Sequence, residues 1–218
     1  FVSSRRLPTR LLRVSWARRC VYETGFIERN IDLIDSGKFK TVYKELRKLS
    51  VMYIGEFTRI LLDAGINPAK YMDELPEGYL VGVKYTSYEI PENITSIGES
   101  AFAYTQLKSA VIPKRVEHLN PRVFENCGNL EKVVLPDNLI TIGDYAFFGC
   151  LRLIDIEIPG KVTWIGDKVF YGCSDLNSIR FQGTKQQWNK IGKEDSWRSV
   201  SAIEEVRCSD GIIDLRNH

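Results

Sequence analysis

Two histidines, five cysteines and a scatter of aspartates are the side chains of this 218-residue chain that could do chemistry. A nucleophilic site needs a serine or cysteine beside a histidine base that a carboxylate holds in place. His218 is the last residue. His118 falls at a position that elsewhere holds Ser96, Thr141 and Trp164, an outward place on a strand, and the spacing builds no pocket around it. Cys20, Cys127, Cys150, Cys173 and Cys208 include no C-x-x-C pair of the kind that redox or zinc sites use. Asp144, Asp155, Asp167 and Asp175 lack metal-ligand clustering, and no P-loop, dinucleotide fingerprint or H-E-x-x-H run is present. The sequence therefore assigns no catalytic, metal-binding or cofactor-binding residue and reads as non-enzymatic.

The elements that carry these residues repeat. Cys127, Cys150 and Cys173 lie 23 apart, as do Leu107, Leu130, Leu153 and Leu176. Pro91, Pro113, Pro136 and Pro159 are spaced 22, 23 and 23, and Phe102, Phe124, Phe147 and Phe170 give the same series. A fixed period of this length predicts a solenoid whose units bury their apolar sides only against their neighbours. The cysteines then form a column of small buried hydrophobes, and the phenylalanines a stacked spine. Reduced thiols in this arrangement favour an intracellular, cytoplasmic setting.

Two strand signals recur in each unit. One is Leu-x-x-apolar-x-apolar, as in Leu130 to Leu135 and Leu153 to Ile158, ended by proline. It extends upstream to Tyr85–Ile90 and downstream to Ile203–Cys208, which makes about six rungs. The other is apolar-x-x-apolar followed by Gly98, Asn120, Gly143 or Gly166, where a residue at positive φ is expected. Before the repeats, Phe26 to Ile34, Phe39 to Leu49 and Met52 to Ala64 show helical spacing, and Asn67-Pro68 opens a short helix over Ala69–Glu74. The fold class is α+β: a short leucine-rich solenoid with an N-terminal helical cap. Residues 1–24 read as a basic flexible tail, 25–74 as the cap, 75–181 as the repeats and 182–218 as a C-terminal cap that contains Trp188 and Trp197. The tyrosines at 71, 79, 85, 88 and 104 are expected mostly at the junction of cap and array.

Charge narrows the partner. The net charge is +2, but residues 1–20 hold six arginines and no acid, leaving 24 basic and 28 acidic side chains elsewhere. The body is mildly acidic, so nucleic acid has no electrostatic support except through the arginine-rich tail. That tail is also compatible with a transit segment or an arm for an acidic partner. No stretch is apolar enough to span a membrane as a helix.

"IPENITSIGESAFAYTQLKSAV" and "LPDNLITIGDYAFFGCLRLIDI" resemble the BspA-type leucine-rich repeat family, over about residues 75–181. The lead-in "LLDAGINPAKYMDELPEGYL" is similar to bacteriophage-encoded members. The first unit departs from the pattern at Tyr104-Thr105, where the cysteine would fall, and the second at Asn120 and Val123. The resemblance implies a protein-binding module with no catalytic residues to transfer. The function expected is binding and modulating, by inhibition, a host or bacterial protein. The alternative is a structural subunit for attachment at a virion or cell surface. The outward rows of the first strand type supply Lys132, Asp155, Glu157 and Arg180 as candidate partner-binding residues. The second type supplies His118, Ile140 and Trp164, with Ile140 expected outward beside Trp164, since aromatic side chains concentrate at binding hot spots.

Overall fold

The computed structural model describes residues 38–48, 51–63 and 65–216. The expected tail, the helix over 26–34, Cys20 and His218 lie outside the described residues. Helix α1 (Phe39–Arg47) buries Phe39, Val42, Tyr43 and Leu46, a single stripe at i, i+3, i+4 and i+7. Lys40 and Lys44 stay exposed on its other faces. Helix α2 (Val51–Asp63) buries Ile54, Phe57, Ile60 and Leu61, and its buried Thr58 hydroxyl meets the Tyr43 hydroxyl at 2.6 Å.

About six turns of solenoid follow, built on two sheets. A short-strand sheet runs β1 (Glu74–Leu75), β2 (Ser96–Ile97), β4 (His118–Leu119), β6 (Thr141–Ile142), β8 (Trp164–Ile165) and β10 (Gly192–Lys193), all parallel. A long-strand sheet runs β3 (Ser109–Val111), β5 (Lys132–Val134), β7 (Asp155–Ile158), β9 (Ser178–Phe181) and β11 (Glu205–Cys208), also parallel. Strand β12 (Gly211–Asp214) turns back antiparallel on β11 through Ser209 and Asp210. The segment Thr184–Ile191 between β9 and β10 forms helix α3 (Lys185–Lys190), with a capping box between Thr184 and Gln187. Trp188 on that helix packs edge-on against Phe181 and Trp197.

Several local expectations are corrected. Asn67 caps a helix, accepting a hydrogen bond from the Ala69 amide at 3.1 Å, but the helix is one 3₁₀ turn, Pro68–Tyr71. Glu74 and Leu75 lie beyond it and pair with β2, where the ladder satisfies their backbone groups. Residues 85–90 form no strand of the long-strand sheet. One amide, Lys108, still reaches back to the Thr86 carbonyl at 3.0 Å. Among the tyrosines, Tyr79 is buried and Tyr85 and Tyr88 are half-buried at the junction, whereas Tyr71 and Tyr104 are exposed.

Positive φ falls two residues after the expected place, at Ser100, Arg122, Tyr145 and Lys168. The glycines before them are needed for closeness instead: a Cβ on Gly143 would sit 2.8 Å from the Leu119 carbonyl oxygen and from the Pro121 nitrogen. Asn120, at the same point of its rung, spans the gap with its side chain and donates to the Ile97 carbonyl at 2.8 Å.

The interior is two columns. Phe102, Phe124, Phe147 and Phe170 stack with ring centroids 5.5, 5.7 and 5.6 Å apart and planes within 12°. Tyr88 tilts onto one end and Trp197 closes the other edge-on. Beside them Cys127, Cys150 and Cys173 donate to the carbonyls of Phe102, Phe124 and Phe147 in the preceding rungs, at 3.0, 3.1 and 3.2 Å. Thr105 takes the thiol's place in the first rung and donates to the Phe102 carbonyl. Burial pushes the Cys127 thiol up to about 11 and the Cys173 thiol up to about 12.

Two outcomes follow from these columns. Truncating Phe147→Ala should cost about 3–5 kcal/mol in urea unfolding, because neighbouring rings on both sides lose a partner. The raised thiol values mean the folded state holds protons that the unfolded chain releases. Their contribution is therefore complete below the unfolded value near pH 8.5 and is lost as pH climbs toward 11–12. The urea midpoint should stay level from pH 6 to 8 and fall above about 9. A midpoint that falls no faster there than in the triple Cys→Ala chain would refute the assignment.

Candidate functional site

The sequence candidates divide between the outward faces of the two sheets. On the short-strand sheet the ladder sets Ser96, His118, Thr141 and Trp164 in the strand positions before the buried residues, with Gly192 in line with them on the last rung. The exposed His118 ring meets the Thr141 hydroxyl at 2.9 Å. Register pairs Trp164 with Thr141, so Ile140 is not its direct neighbour. Ile140 is half-buried. It lies one residue ahead of β6 and already joins the ladder, its amide donating to the Glu117 carbonyl at 2.7 Å and its carbonyl accepting from the Thr163 amide at 2.8 Å. Trp164 is 41% exposed and lies over Gly192, where a Cβ would come 2.5 Å from its ring. The indole is thus seated partly on the C-terminal rung.

The long-strand sheet brings its candidates together. Its inward residues Ala110, Val133, Ile156, Ile179 and Val206 are buried, so the alternate residues stand on the outer face in two columns. One runs Ser109, Lys132, Asp155, Ser178, Glu205 and Asp214. The other runs Val111, Val134, Glu157, Arg180, Arg207 and Ile212. Arg180 joins both columns: its guanidinium donates to Asp155 at 2.5 Å and lies 3.8 Å from Glu157. The carboxylates of Asp155 and Glu157 are therefore largely answered by one arginine. Lys132 has no ion-pair partner among the described residues.

Two residues outside the sequence's candidate set matter here. Val111 and Val134 are register partners on adjacent strands and are 58% and 44% exposed. Large apolar side chains in these outward positions are the signal that alternation alone passes over, because it predicts only that the position is outward. Leu151 and Ile154, just before β7, add exposed apolar surface on the next rung.

Among the described residues no three histidine, cysteine or acidic side chains gather where they could hold a metal, and no helix is long and apolar enough to cross a membrane. Every buried side-chain nitrogen and oxygen in that set has a partner.

The profile for the BspA type leucine-rich repeat region matches residues 74–216 in six copies. The chain belongs to the BspA-type leucine-rich repeat family. The match takes in β1 at one end and β12 at the other, which the sequence motifs alone did not. Among solved structures, a leucine-rich cell surface protein from Faecalibacterium prausnitzii A2-165 is 31% identical, with a TM-score of 0.55, over 57% of this chain and 33% of that one. The leucine-rich repeat protein TpLRR of T. pallidum is 22% identical, with a TM-score of 0.51, over 62% of each chain, a likeness of fold. This chain therefore matches less than two-thirds of the length of either structure. No curated protein sequence matches the chain. Leucine-rich repeat proteins of this kind are in general interaction or surface modules.

Arg180→Ala tests whether the charged cluster serves stability. The pairs are exposed, so the substitution should shift unfolding by less than about 1 kcal/mol. A loss of several kcal/mol in urea titration would make the cluster structural.

Proposed function

We propose that this BspA-type chain is a non-enzymatic recognition protein that binds another protein through the outer face of the long-strand sheet and thereby inhibits or modulates it. The observation that carries the reading is the exposed Val111–Val134 pair set against Lys132 and the Asp155–Arg180–Glu157 cluster. An apolar centre with charged residues around it is interface chemistry, and the face stands on a rigid stack of rungs, so little ordering is needed on binding. The target in this reading is a host or bacterial protein met in the cytoplasm, and a bacteriophage origin fits that setting. His118, Ile140 and Trp164 form a secondary candidate row.

The second reading is an attachment subunit at a cell or virion surface. The cell-surface relative from Faecalibacterium prausnitzii favours it.

Capture from bacterial lysate with three baits separates the faces: wild type, Val134→Glu, and the double variant Ile140→Ser/Trp164→Ala. The expected result is one stoichiometric protein retained by wild type and by the double variant and lost with Val134→Glu. Loss only with the double variant would move the site to the short-strand sheet. No captured protein with any bait would sink the modulator reading in favour of attachment.

A further inference from the structure

The two outward columns of the long-strand sheet become complementary to themselves when the order of rungs is reversed. Across the six strands one column reads Ser109, Lys132, Asp155, Ser178, Glu205, Asp214, and the other Val111, Val134, Glu157, Arg180, Arg207, Ile212. A two-fold axis in the plane of contact, parallel to the strands and passing between β7 and β9, sets each column against its own reversed copy. Lys132 then faces Glu205 of the second copy, and Glu157 faces Arg180. Val111 meets Ile212, both more than half exposed, and Val134 meets the aliphatic stem of Arg207. Asp155 meets Ser178, and Ser109 meets Asp214. No like charges oppose one another in either column.

The neighbouring registers fail this test. An axis through β7 would set Asp155 against Asp155 and Glu157 against Glu157. An axis through β9 would set Arg180 against Arg180 and Asp155 against Glu205. Like charges brought face to face are penalised strongly enough to select against both arrangements.

We infer that the outer face of the long-strand sheet docks a second copy of this chain, in an isologous dimer whose two-fold axis runs between β7 and β9. The inference rests on the reading of that face as an interaction surface and names its partner. Strand spacing of about 4.8 Å and a rise of about 3.3 Å per residue give the strands a footprint of roughly 300 Å² per protomer. That is below the ~800 Å² per partner of a standard stable interface, so the dimer is weak and salt-sensitive, and a foreign protein with a larger footprint displaces it. Glu205 already accepts from Arg207 at 2.6 Å, and a carboxylate has lone pairs left for Lys132 of the second copy.

Lys132 and Glu205 lie three strands apart within one chain, so reversing either leaves the other's intrachain pairing untouched. Each reversal, Lys132→Glu or Glu205→Lys, puts two like-charge pairs into the homodimer. Sedimentation velocity at low salt should show the wild type in a concentration-dependent monomer–dimer equilibrium. Each single variant should dimerise at least about tenfold more weakly. An equimolar mixture of the two should regain a dimer. At one contact the carboxylate introduced at position 132 then meets the ammonium introduced at position 205, and at the other the native Glu205 of the first chain meets the native Lys132 of the second. Recovery on mixing cannot come from a misfolded variant. Three results overturn the inference: a wild type that stays monomeric, a homodimer indifferent to both reversals, or folded variants that fail to recover on mixing. The lysate capture reads separately whether the face binds a different protein, so a monomeric wild type that still captures its target removes the dimer and leaves the recognition reading intact.

Discussion

Every other feature of this molecule depends on one repeated contact, the offset stacking of a phenyl ring on the ring one rung away. Centroids 5.5–5.7 Å apart in nearly parallel planes mean that the rings slide past one another rather than eclipse, the arrangement that aromatic quadrupoles favour. The amide of each phenylalanine also reaches the next rung: Phe124 to the Ala146 carbonyl, Phe147 to Val169, and Phe170 to Trp197, at 2.9, 3.0 and 2.9 Å. Side chain and backbone thus fix one rung separation together. The thiol column, the two sheets and the straight outward columns all inherit that spacing. Residues 23 apart in sequence become neighbours in space, and a surface pattern can be written one rung at a time.

That is why the interior was legible in the sequence and parts of the boundary were not. Phenylalanine, cysteine and leucine recur at one spacing because each must match an identical neighbour, and the spacing survives in the letters. Strand β1 left a fainter trace. Pro68 stands 23 residues before Pro91, but the residues between them have lost the phenylalanine and the glycine. Strand β12 left little trace: its loop is Ser209 and Asp210, and Gly211, at positive φ, already pairs with Cys208. The positive-φ positions were hidden for another reason. The amides of Ser100, Arg122 and Tyr145 are each tied to the next rung, at Pro121, Asp144 and Asp167, and tertiary context overrides what their side chains prefer.

The candidate surface was legible by row and not by residue. Alternation placed Lys132, Asp155, Glu157 and Arg180 outward, and the structure gathers the last three into one cluster. It could not rank them, because pairing between diagonal neighbours depends on register across strands. Val111 and Val134 gain their meaning only from being side by side. Ile140 stands opposite Thr163 rather than Trp164, an offset between rungs that alternation along one strand does not reveal. The N-terminal helices show the same division: the buried stripe of α1 followed from its spacing, whereas the Tyr43–Thr58 bond depends on how α1 and α2 meet.

The ladder has a mechanical consequence. Hydrogen bonds between rungs point along the solenoid axis, so a pull along that axis loads them in tension, one rung after another, like a zip opening from its end. A pull along the strands would load all the bonds of a sheet in shear at the same moment. Because each rung touches only its neighbours, an axial force meets no long-range tie to share it, and the array should unravel in steps of one turn. The same protein is therefore stiff as a platform for a partner approaching its flank and compliant as a tether drawn from its ends.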